Sequence, residues 1–294
     1  RTAKEKAGEK ARAPDAEDFS RTNVWPGCLR TLSLLPESNT RTEKEMNGNE
    51  RNGKELRYCY RYPHPSVTTD CVIFGFDGRR LHVLLVQRGA DPYKGRWAFP
   101  GGFLNMDESA EEGALRELQE ETGLREACIR QFHAFTAPRR DPRERVITIA
   151  FYALVRMQEV KGGDDAADAR WFALNEVPPL AFDHDEMLLR ARQALHRQMH
   201  FEPVGAGLLP EEFTLDALLQ LYEALWETQL DRHNFCRSMQ QLGLIEEAGE
   251  ADGPAAKETG RLFRLNREKY DELTRRGEWL GLQAAALPPA TEKG

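Results

Sequence analysis

The 294-residue sequence contains no apolar run that could cross a membrane. Its longest apolar stretch, at 147–155, covers about nine residues, whereas a transmembrane helix needs roughly 20. No apolar segment follows a basic start, so we expect no signal peptide. The five cysteines are odd in number, scattered and without a CxxC pair, which predicts a reducing compartment rather than a disulfide or zinc framework. These absences predict a soluble, cytoplasmic protein without a membrane partner.

Basic residues are not in excess either. The 48 Asp and Glu residues outnumber the 41 Lys and Arg residues, which gives a net charge of -7. This balance argues against a protein that coats nucleic acid over its whole surface, because such binding depends on basic contacts. The length suggests one large domain or two modest ones. Any nucleic-acid binding would have to come from local basic patches.

Residues 1–62 do not show the pattern of a folded segment. Small, charged and turn-forming residues dominate, and no amphipathic period holds for two turns. We therefore expect a disordered tail there. Met46 is the first methionine, and we expect it to be the natural start of the protein. Residues 281–294 are expected to form a C-terminal tail.

Residues 63–200 alternate between strand and helix patterns, which predicts one mixed α/β domain. Strands are predicted from β-rich runs at 67–76, 81–88, 97–99, 129–136, 146–155 and 169–174. Ser109 is predicted to begin a helix through a capping box with Glu112, and Gly123 to end it. A second amphipathic helix is predicted at 187–199.

The pattern becomes mainly helical after a break. Residues 201–212 hold two prolines and two glycines and are predicted to be a linker. Beyond them we predict helices and short strands in the order 215–225 (helix), 231–242 (helix), 244–246 (strand), 262–265 (strand) and 267–276 (helix). Two helices followed by a two-stranded ribbon is the order of a winged-helix domain, which we place at 213–280.

The most informative segment runs from Gly102 to Leu124 and reads GFLNMDESAEEGALRELQEETGL. On a helix, Glu117 and Glu121 are four residues apart and Glu120 lies beside them, so three carboxylates share one flank. Crowded carboxylates repel one another, and a divalent cation is the natural compensation. Ligation by oxygen alone indicates Mg²⁺ or Mn²⁺ rather than zinc. The alternative is a solvated acidic helix face without a ligand.

The same segment fits the pattern G-x5-E-x7-R-E-U-x-E-E-x-G-U, with U aliphatic, and thereby resembles the Nudix hydrolase family. The resemblance implies an α/β/α sandwich with a mixed sheet, and hydrolysis of a nucleoside diphosphate linked to another group. It implies Glu117, Glu120 and Glu121 as metal ligands, with Arg116 orienting a carboxylate. The catalytic base in this family often lies outside the motif. Glu144 is our candidate, although it could equally pair with a neighbouring arginine.

Residues around the motif are candidates to bind the substrate. Arginines can hold phosphates through bidentate hydrogen bonds, and those considered are Arg88, Arg139, Arg140 and Arg143. Aromatic side chains can stack a base, although beside strands they are more often core; those considered are Tyr93, Trp97 and Phe99. The predicted substrate-binding set is Arg88, Trp97, Gly101, Gly102, Arg139 and Arg140. ADP-ribose is the favoured substrate.

The stretch FTLDALLQLYEAL…LDRHNFCRSMQQLGLIEE…RLFRLNREKY is similar to the winged-helix domain of Nudix-related transcriptional regulators. The resemblance implies a homodimer that binds operator DNA, with ADP-ribose as an effector. Residues 257–276 are locally basic, with seven Lys and Arg against four Asp and Glu. The predicted DNA contacts are Arg232, Asn234, Arg237, Gln241, Lys257 and Arg261. The alternative is a small helical appendage used for dimerisation.

Two compatible functions follow. The first is a Mg²⁺-dependent Nudix pyrophosphohydrolase fused to a winged helix that binds DNA. The second is an effector-responsive transcriptional repressor of NAD or sugar metabolism, whose Nudix domain mainly senses ADP-ribose or a sugar. A Nudix scaffold without chemistry is a third alternative, which the complete motif disfavours.

Overall fold

The computed structural model describes residues 62–125, 127–160, 166–250, 261–277, 280 and 282. The predicted N-terminal tail, except for its last residue, and nearly all of the predicted C-terminal tail lie outside these residues. No described helix is both long and apolar enough to cross a membrane. Among the described cysteines, Cys71 and Cys236 carry free thiols.

Seven described strands form one mixed sheet, and they are β1 (Ser66–Phe76), β2 (Leu81–Arg88), β3 (Trp97–Ala98), β4 (Gly101–Phe103), β5 (Arg130–Phe135), β6 (Val146–Arg156) and β7 (Ala166–Ala173). Their order is β3–β2–β1–β6–β5, with β4 paired to β1 and β7 paired to β2. Strands β1 and β6 run parallel, and the other described pairs are antiparallel.

In the described part of the chain, one helix packs on each face of this sheet. Helix α1 (Ala110–Thr122) packs with Cys71 and Ile73, whereas helix α2 (His184–Met199) packs with Val72 and Phe74. Neighbouring residues of β1 thus face opposite layers, as the period of two in a strand requires. Both faces are apolar, which explains the continuous hydrophobic run of β1. The predicted α/β/α sandwich is confirmed.

The described C-terminal residues form the elements β8 (Glu212–Thr214), α3 (Leu215–Trp226), α4 (Arg232–Gln241), β9 (Ile245–Glu250), β10 (Arg261–Leu265) and α5 (Arg267–Arg276). The three strands form one sheet in the order β8–β10–β9. This is the predicted winged-helix order. Strand β8 was not predicted, because three residues are too few to show an alternating pattern. The same limit applies to β4.

The segment 201–212 is packed rather than free of contacts. Val204 and Leu209 are buried in a core that continues from the α2 face of the large sheet into the winged helix. Arg156 of β6 donates hydrogen bonds to the carbonyl groups of Gly207 and Leu209. Within the described residues, the two halves of the protein therefore share one hydrophobic core. The domain boundaries at 63–200 and 213–280 remain our prediction.

Candidate functional site

A cleft of about 460 Å³ opens where β1, β2, β4 and the ends of α1 and α2 meet. Its lining includes the carboxylates of Asp70, Glu117 and Glu121. It also includes basic and aromatic side chains, which are Arg88, Phe103, Arg140, Arg143 and Phe182. The cleft therefore combines carboxylates with cations and aromatic rings.

Helix α1 begins and ends as its sequence predicts. The Ser109 side chain accepts the Glu112 N–H, and the Glu112 side chain accepts the Ser109 N–H, which is the capping box. Gly123 adopts the left-handed conformation at φ 74° and ends the helix. These two signals fix the register of α1, and with it the positions of its carboxylates.

Arg116 joins the carboxylates of the motif into one network. Its Nη1 donates to Glu117 at 2.8 Å and to Glu120 at 3.1 Å. Its Nε and Nη2 donate to the two oxygens of Glu108 at 2.9 and 2.6 Å. The hydrogen bond from Arg116 lowers the pKa of Glu108 below its ordinary value. The predicted role of Arg116, to orient a carboxylate, fits this geometry.

The two glycines at the start of the motif allow the strand to approach α1 closely. The Gly101 N–H donates to Glu121 Oε2 at 2.9 Å. A Cβ atom on Gly101 would lie 2.1 Å from the Thr69 carbonyl oxygen, and one on Gly102 would lie 2.3 Å from Glu117 Oε1. Any larger residue at either position would displace β1 or the Glu117 side chain.

The donor set fits a hard divalent cation. Burial raises the pKa of Glu117, against the opposing hydrogen bond from Arg116, so a nearby cation would favour its charged form. Across the described residues, however, no three Asp, Glu, His or Cys side chains converge into a ready metal site. Glu117 and Glu121 line the cleft, while the Glu120 side chain is 55% exposed and does not line it. Of the three predicted ligands, the structure brings two to the cleft.

Two of the candidate arginines are already paired with carboxylates. Arg140 is only 4% exposed and donates to both oxygens of Asp183 at 2.9 and 2.7 Å. Arg143 donates to both oxygens of Asp141 at 3.1 and 2.8 Å. Burial opposes ionisation of Asp141, but the hydrogen bonds from Arg143 hold its pKa below the ordinary value. Neither arginine therefore offers a free charge to a phosphate.

Arg88 differs from these two. Its guanidinium donates to the carbonyl oxygens of Pro92 and Ala90, at 2.8 and 3.5 Å. Among the described residues, Arg88 forms no ion pair with a carboxylate. Burial and the nearby Arg143 lower its pKa, as expected for a cation that lacks full compensation. Arg139 does not line the cleft. Among the four candidate arginines, the structure favours Arg88 as a phosphate ligand.

His184 lies buried at the base of the cleft. Its Nδ1 accepts the Phe99 N–H at 3.0 Å, and its ring stacks on the Phe99 ring with centroids 5.3 Å apart. Because Nδ1 accepts, the proton of the neutral ring lies on Nε2, which is 3.7 Å from Asp70 Oδ1. Burial lowers the pKa of His184, so the ring is neutral. Phe99 thus lines the base of the cleft, with its ring packed on His184.

The structure leaves two other candidates outside the cleft. Trp97 does not line it; its ring meets Phe172 edge-on at 4.8 Å, with Arg170 5.6 Å from the ring centroid. Glu144 accepts a hydrogen bond from Ser66 Oγ at 2.9 Å and also does not line the cleft. Aromatic and acidic residue types alone could not distinguish these positions from the cleft.

Sequence reasoning missed several residues that do line the cleft, namely Asp70, Asp141, Phe103 and Phe182. Asp70 lies in the middle of β1, where a charged residue in an apolar run could have been noticed. Asp141 is two residues before Arg143, a spacing that permits the local pairing observed. Phe182 reaches the cleft only through the tertiary fold, so no local signal exists for it.

Helix α4 presents a second surface of functional interest. The Asp231 side chain accepts the Asn234 N–H and begins the helix, and Phe235 and Met239 are buried beneath it. The predicted contacts on this helix are all exposed, and they are Arg232, Asn234, Arg237 and Gln241. On the adjacent sheet, Arg261 is exposed and pairs with Glu247 at 2.6 Å. Lys257 lies outside the described residues.

Comparison with known proteins matches both halves of the chain. Residues 64–191 match the NUDIX domain, and residues 205–265 match the NrtR DNA-binding winged helix domain. The chain is 31% identical over 215 residues to the ADPR responsive transcriptional repressor NtrR of Acinetobacter baylyi, covering 71% of this chain and 86% of that protein. It is 40% identical over 135 residues to an ADP-ribose pyrophosphatase of Methanocaldococcus jannaschii, covering 46% and 78% respectively.

A solved structure matches the chain over both of its halves. Shewanella oneidensis NrtR complexed with a 27mer DNA is similar with a TM-score of 0.58 and 29% identity, covering 69% of this chain and 95% of that one. The similarity thus spans both the sheet that carries the cleft and the winged helix that carries α4.

Proposed function

Because the chain belongs to the Nudix family and carries an NrtR-type winged helix domain, we propose that it is a DNA-binding regulator whose Nudix cleft binds ADP-ribose as effector. The observation that carries this proposal is that helix α2 contacts both the cleft and the winged helix. Similarity to the A. baylyi repressor supports it.

The N-terminal end of α2 belongs to the cleft. Asp183, which precedes the helix, holds Arg140, and His184 in its first turn bonds the backbone of Phe99. Arg140, His184 and Phe99 line the cleft, whereas Asp183 does not. A ligand that contacts this part of the cleft would therefore act directly on the start of α2.

The remainder of α2 contacts the winged helix. Arg192 donates to both oxygens of Glu227, at 2.8 and 2.5 Å, and Glu227 ends α3 in a left-handed conformation at φ 53°. Beyond the end of α2, the His200 carbonyl accepts the Leu280 N–H at 2.8 Å. An effector shifts an equilibrium between two states only if it binds one of them more tightly than the other. Helix α2 is the connection through which a change of state in the cleft would reach the winged helix.

Helix α4 would supply the contact with operator DNA. Exposed Arg232 and Arg237 suit phosphates and guanine edges, and Asn234 and Gln241 suit adenine edges. A homodimer would place two such helices on half-sites one helical turn apart. We propose this dimer, and a cytoplasmic location, as part of the same function.

Hydrolysis is a second candidate activity, favoured by the complete motif from Gly102 to Leu124 and by similarity to an ADP-ribose pyrophosphatase. Glu117, Glu120 and Glu121 would hold Mg²⁺ or Mn²⁺. When bound, such an ion stabilises charge on a diphosphate and lowers the pKa of its water. Arg116 keeps Glu117 oriented, and Arg88 would bind a phosphate of the substrate.

The test measures DNA binding and turnover with one preparation. DNA from upstream of the chain's own operon is titrated by fluorescence anisotropy with and without ADP-ribose, in EDTA so that the effector is not consumed. We expect ADP-ribose to weaken DNA binding at least about 5-fold. An unchanged affinity for DNA would refute the proposal that the chain is a regulator that responds to ADP-ribose. Separately, formation of AMP and ribose 5-phosphate with Mg²⁺ tests hydrolysis, and its absence would leave the cleft as a sensor only.

A further inference from the structure

Helix α2 begins with an aspartate that does not cap it. Asp183 stands at the N-cap position, where an aspartate side chain ordinarily accepts a backbone N–H of the first turn, yet it makes no such hydrogen bond. The other described α-helices all have a side-chain cap, made by Ser109, Thr214, Asp231 and Asn266. Among the described helix starts, α2 alone holds a capping residue type and leaves it unused.

The local backbone shows why the cap is missing. A capping residue typically has an extended backbone, whereas Asp183 has a φ of -100° and a ψ of 23°. Phe182, just before it, has a φ of 53°, in the left-handed region that a bulky residue rarely adopts. The centroid of its ring lies 4.8 Å from both the Tyr93 ring centroid and the Arg88 guanidinium carbon. Because such a conformation persists only where the surroundings determine it, tertiary contacts hold the start of α2 away from its capped form.

Arg140 takes up the carboxylate that would otherwise cap the helix. It donates to both oxygens of Asp183, at 2.9 and 2.7 Å, and its third nitrogen donates to Thr148 Oγ1 on β6. Thr148 is fully buried, so the guanidinium is fixed to the large sheet. Arg140 lines the cleft, whereas Asp183 does not. An anion in the cleft can therefore compete with Asp183 for Arg140.

We propose that Asp183 is a two-position switch at the start of α2. In the first position it binds Arg140 and leaves α2 uncapped. In the second position the diphosphate of the ligand binds Arg140, and Asp183 accepts the N–H of Asp185 or Glu186, which are the groups that an N-cap side chain serves. Each charge stays compensated, because Arg140 keeps an anion and the Asp183 carboxylate meets the positive end of the helix dipole. This inference rests on the proposed binding of a nucleoside diphosphate derivative in the cleft.

The switch supplies the two states that the proposed regulation needs. Capping requires an extended backbone at Asp183 and thereby changes how α2 leaves the strained residue before it. Further along the same helix, Arg192 binds Glu227 at the end of α3. A ligand that favours the capped state would therefore reach the winged helix through α2.

Hydrogen exchange of single amides in the full chain tests the switch without any effector. The variants are R140M, which removes the guanidinium, and R140M/D183A, which also removes the capping side chain. D185N is the matched control, because Asp185 lies in the same turn, accepts the Leu180 N–H at 3.4 Å and does not line the cleft. Circular dichroism establishes that each variant is folded. If R140M does not fold, the parent with and without ADP-ribose in EDTA gives the same comparison.

We expect R140M to raise the protection factor of the Asp185 or Glu186 amide about 5-fold over the parent, which corresponds to one N-cap. ADP-ribose should have the same effect on the parent. R140M/D183A should lose the gain, and D185N should leave the Glu186 amide within about 2-fold of the parent. Unchanged or lower protection in R140M would overturn the switch, because a mere tether would only loosen the turn when it is removed.

A titration with operator DNA separates the switch from the proposed function. Without effector, R140M should bind this DNA at least about 5-fold more weakly than the parent, and ADP-ribose should change that affinity by less than about 2-fold. If R140M gains protection but ADP-ribose leaves DNA binding by the parent unchanged, the regulator fails and the switch stands. If ADP-ribose weakens DNA binding by R140M and by the parent equally, the regulator stands and Asp183 is not its switch.

Discussion

Helices α1 and α4 carry the two chemistries of this protein, and they differ in how their side chains are held. Both begin with a side-chain cap, Ser109 in α1 and Asp231 in α4. On α1, Arg116 bonds three carboxylates of the motif. On α4, the polar side chains are exposed. A metal or diphosphate site needs a fixed constellation, whereas DNA phosphates can be met by long, mobile side chains.

The ion pairs of the two regions show the same contrast. In the cleft, Arg140 is buried and holds Asp183 through two hydrogen bonds. Beside α4, the side chains of Arg232 and Asp216 are 63% and 56% exposed and share a single hydrogen bond. Breaking a buried pair leaves an uncompensated charge, while an exposed pair contributes little. Changes in the cleft should therefore have larger effects than matched changes near α4.

The largest effect is expected where α1 is most constrained. If hydrolysis is retained, E117Q or E121Q should lower metal-dependent ADP-ribose turnover by about 100-fold or more, since even partners of metal ligands typically contribute 10- to 100-fold. Product formation from ADP-ribose and Mg²⁺ gives the rate. E111Q, on the same helix but at a variable position of the motif, is the control. An E117Q enzyme within 3-fold of the parent would show that the constrained carboxylate is not a ligand.

The ion-pair contrast can be measured as stability. D183N should lower the free energy of unfolding by about 3 kcal/mol, because Arg140 is left buried without its partner. D216N, beside α4, should lower it by less than about 1 kcal/mol. Urea denaturation followed by circular dichroism measures both. Similar losses in the two variants would remove the distinction between the regions.

On the α4 side, a single exposed arginine should affect DNA binding and nothing else. R237A is expected to weaken operator binding about 10-fold and to lower the salt dependence by about one charge if the contact is to a phosphate. R190A, an exposed arginine of α2, serves as control. Anisotropy titrations over a range of salt concentrations measure both quantities. If R237A and R190A bind DNA equally well, α4 is not the reading helix.

The smallest effect concerns a buried group under the cleft. Burial lowers the pKa of His184, so the folded protein disfavours the protonated ring that the unfolded chain accepts at about pH 6.5. Stability linked to His184 is thus present above that pH and is lost as pH falls towards the lowered folded-state pKa. The difference in unfolding free energy between the parent and H184Q should therefore be smaller at pH 5 than at pH 7.5. A constant difference in unfolding free energy between the two would contradict this linkage.

The sequence predicted α1 more completely than the aromatic lining of the cleft, for a physical reason. Ser109, Glu112, Gly123 and the Arg116 network all interact within one helix or its ends, so spacing alone determines their contacts. The Arg88–Phe182 contact joins residues far apart in the chain, and the Phe182 position depends on a strained turn that no pattern reveals. Trp97 was predicted to stack a base, but its edge meets Phe172 instead.

On α4 the sequence predicted which side chains are exposed, because burial of Phe235 and Met239 fixes the helix face. It could not predict every partner. Arg232 pairs with Asp216 of α3, and a helical wheel of α4 does not contain this partner. The contact of Arg237 with His233 joins residues four apart on α4 and was open to prediction from spacing. The net charge of -7 likewise concealed that a defined share of the acidic residues belongs to the α1 motif.

The central claim is that the cleft and α4 are coupled through α2, and reciprocity tests it most directly. The affinity for ADP-ribose is measured by calorimetry in EDTA, with the protein free and with the protein saturated by operator DNA. Coupling between two binding sites is equal in both directions. We therefore predict that DNA weakens ADP-ribose binding by the same factor, at least about 5-fold, by which ADP-ribose weakens DNA binding. Identical ADP-ribose affinities with and without DNA would contradict the claim.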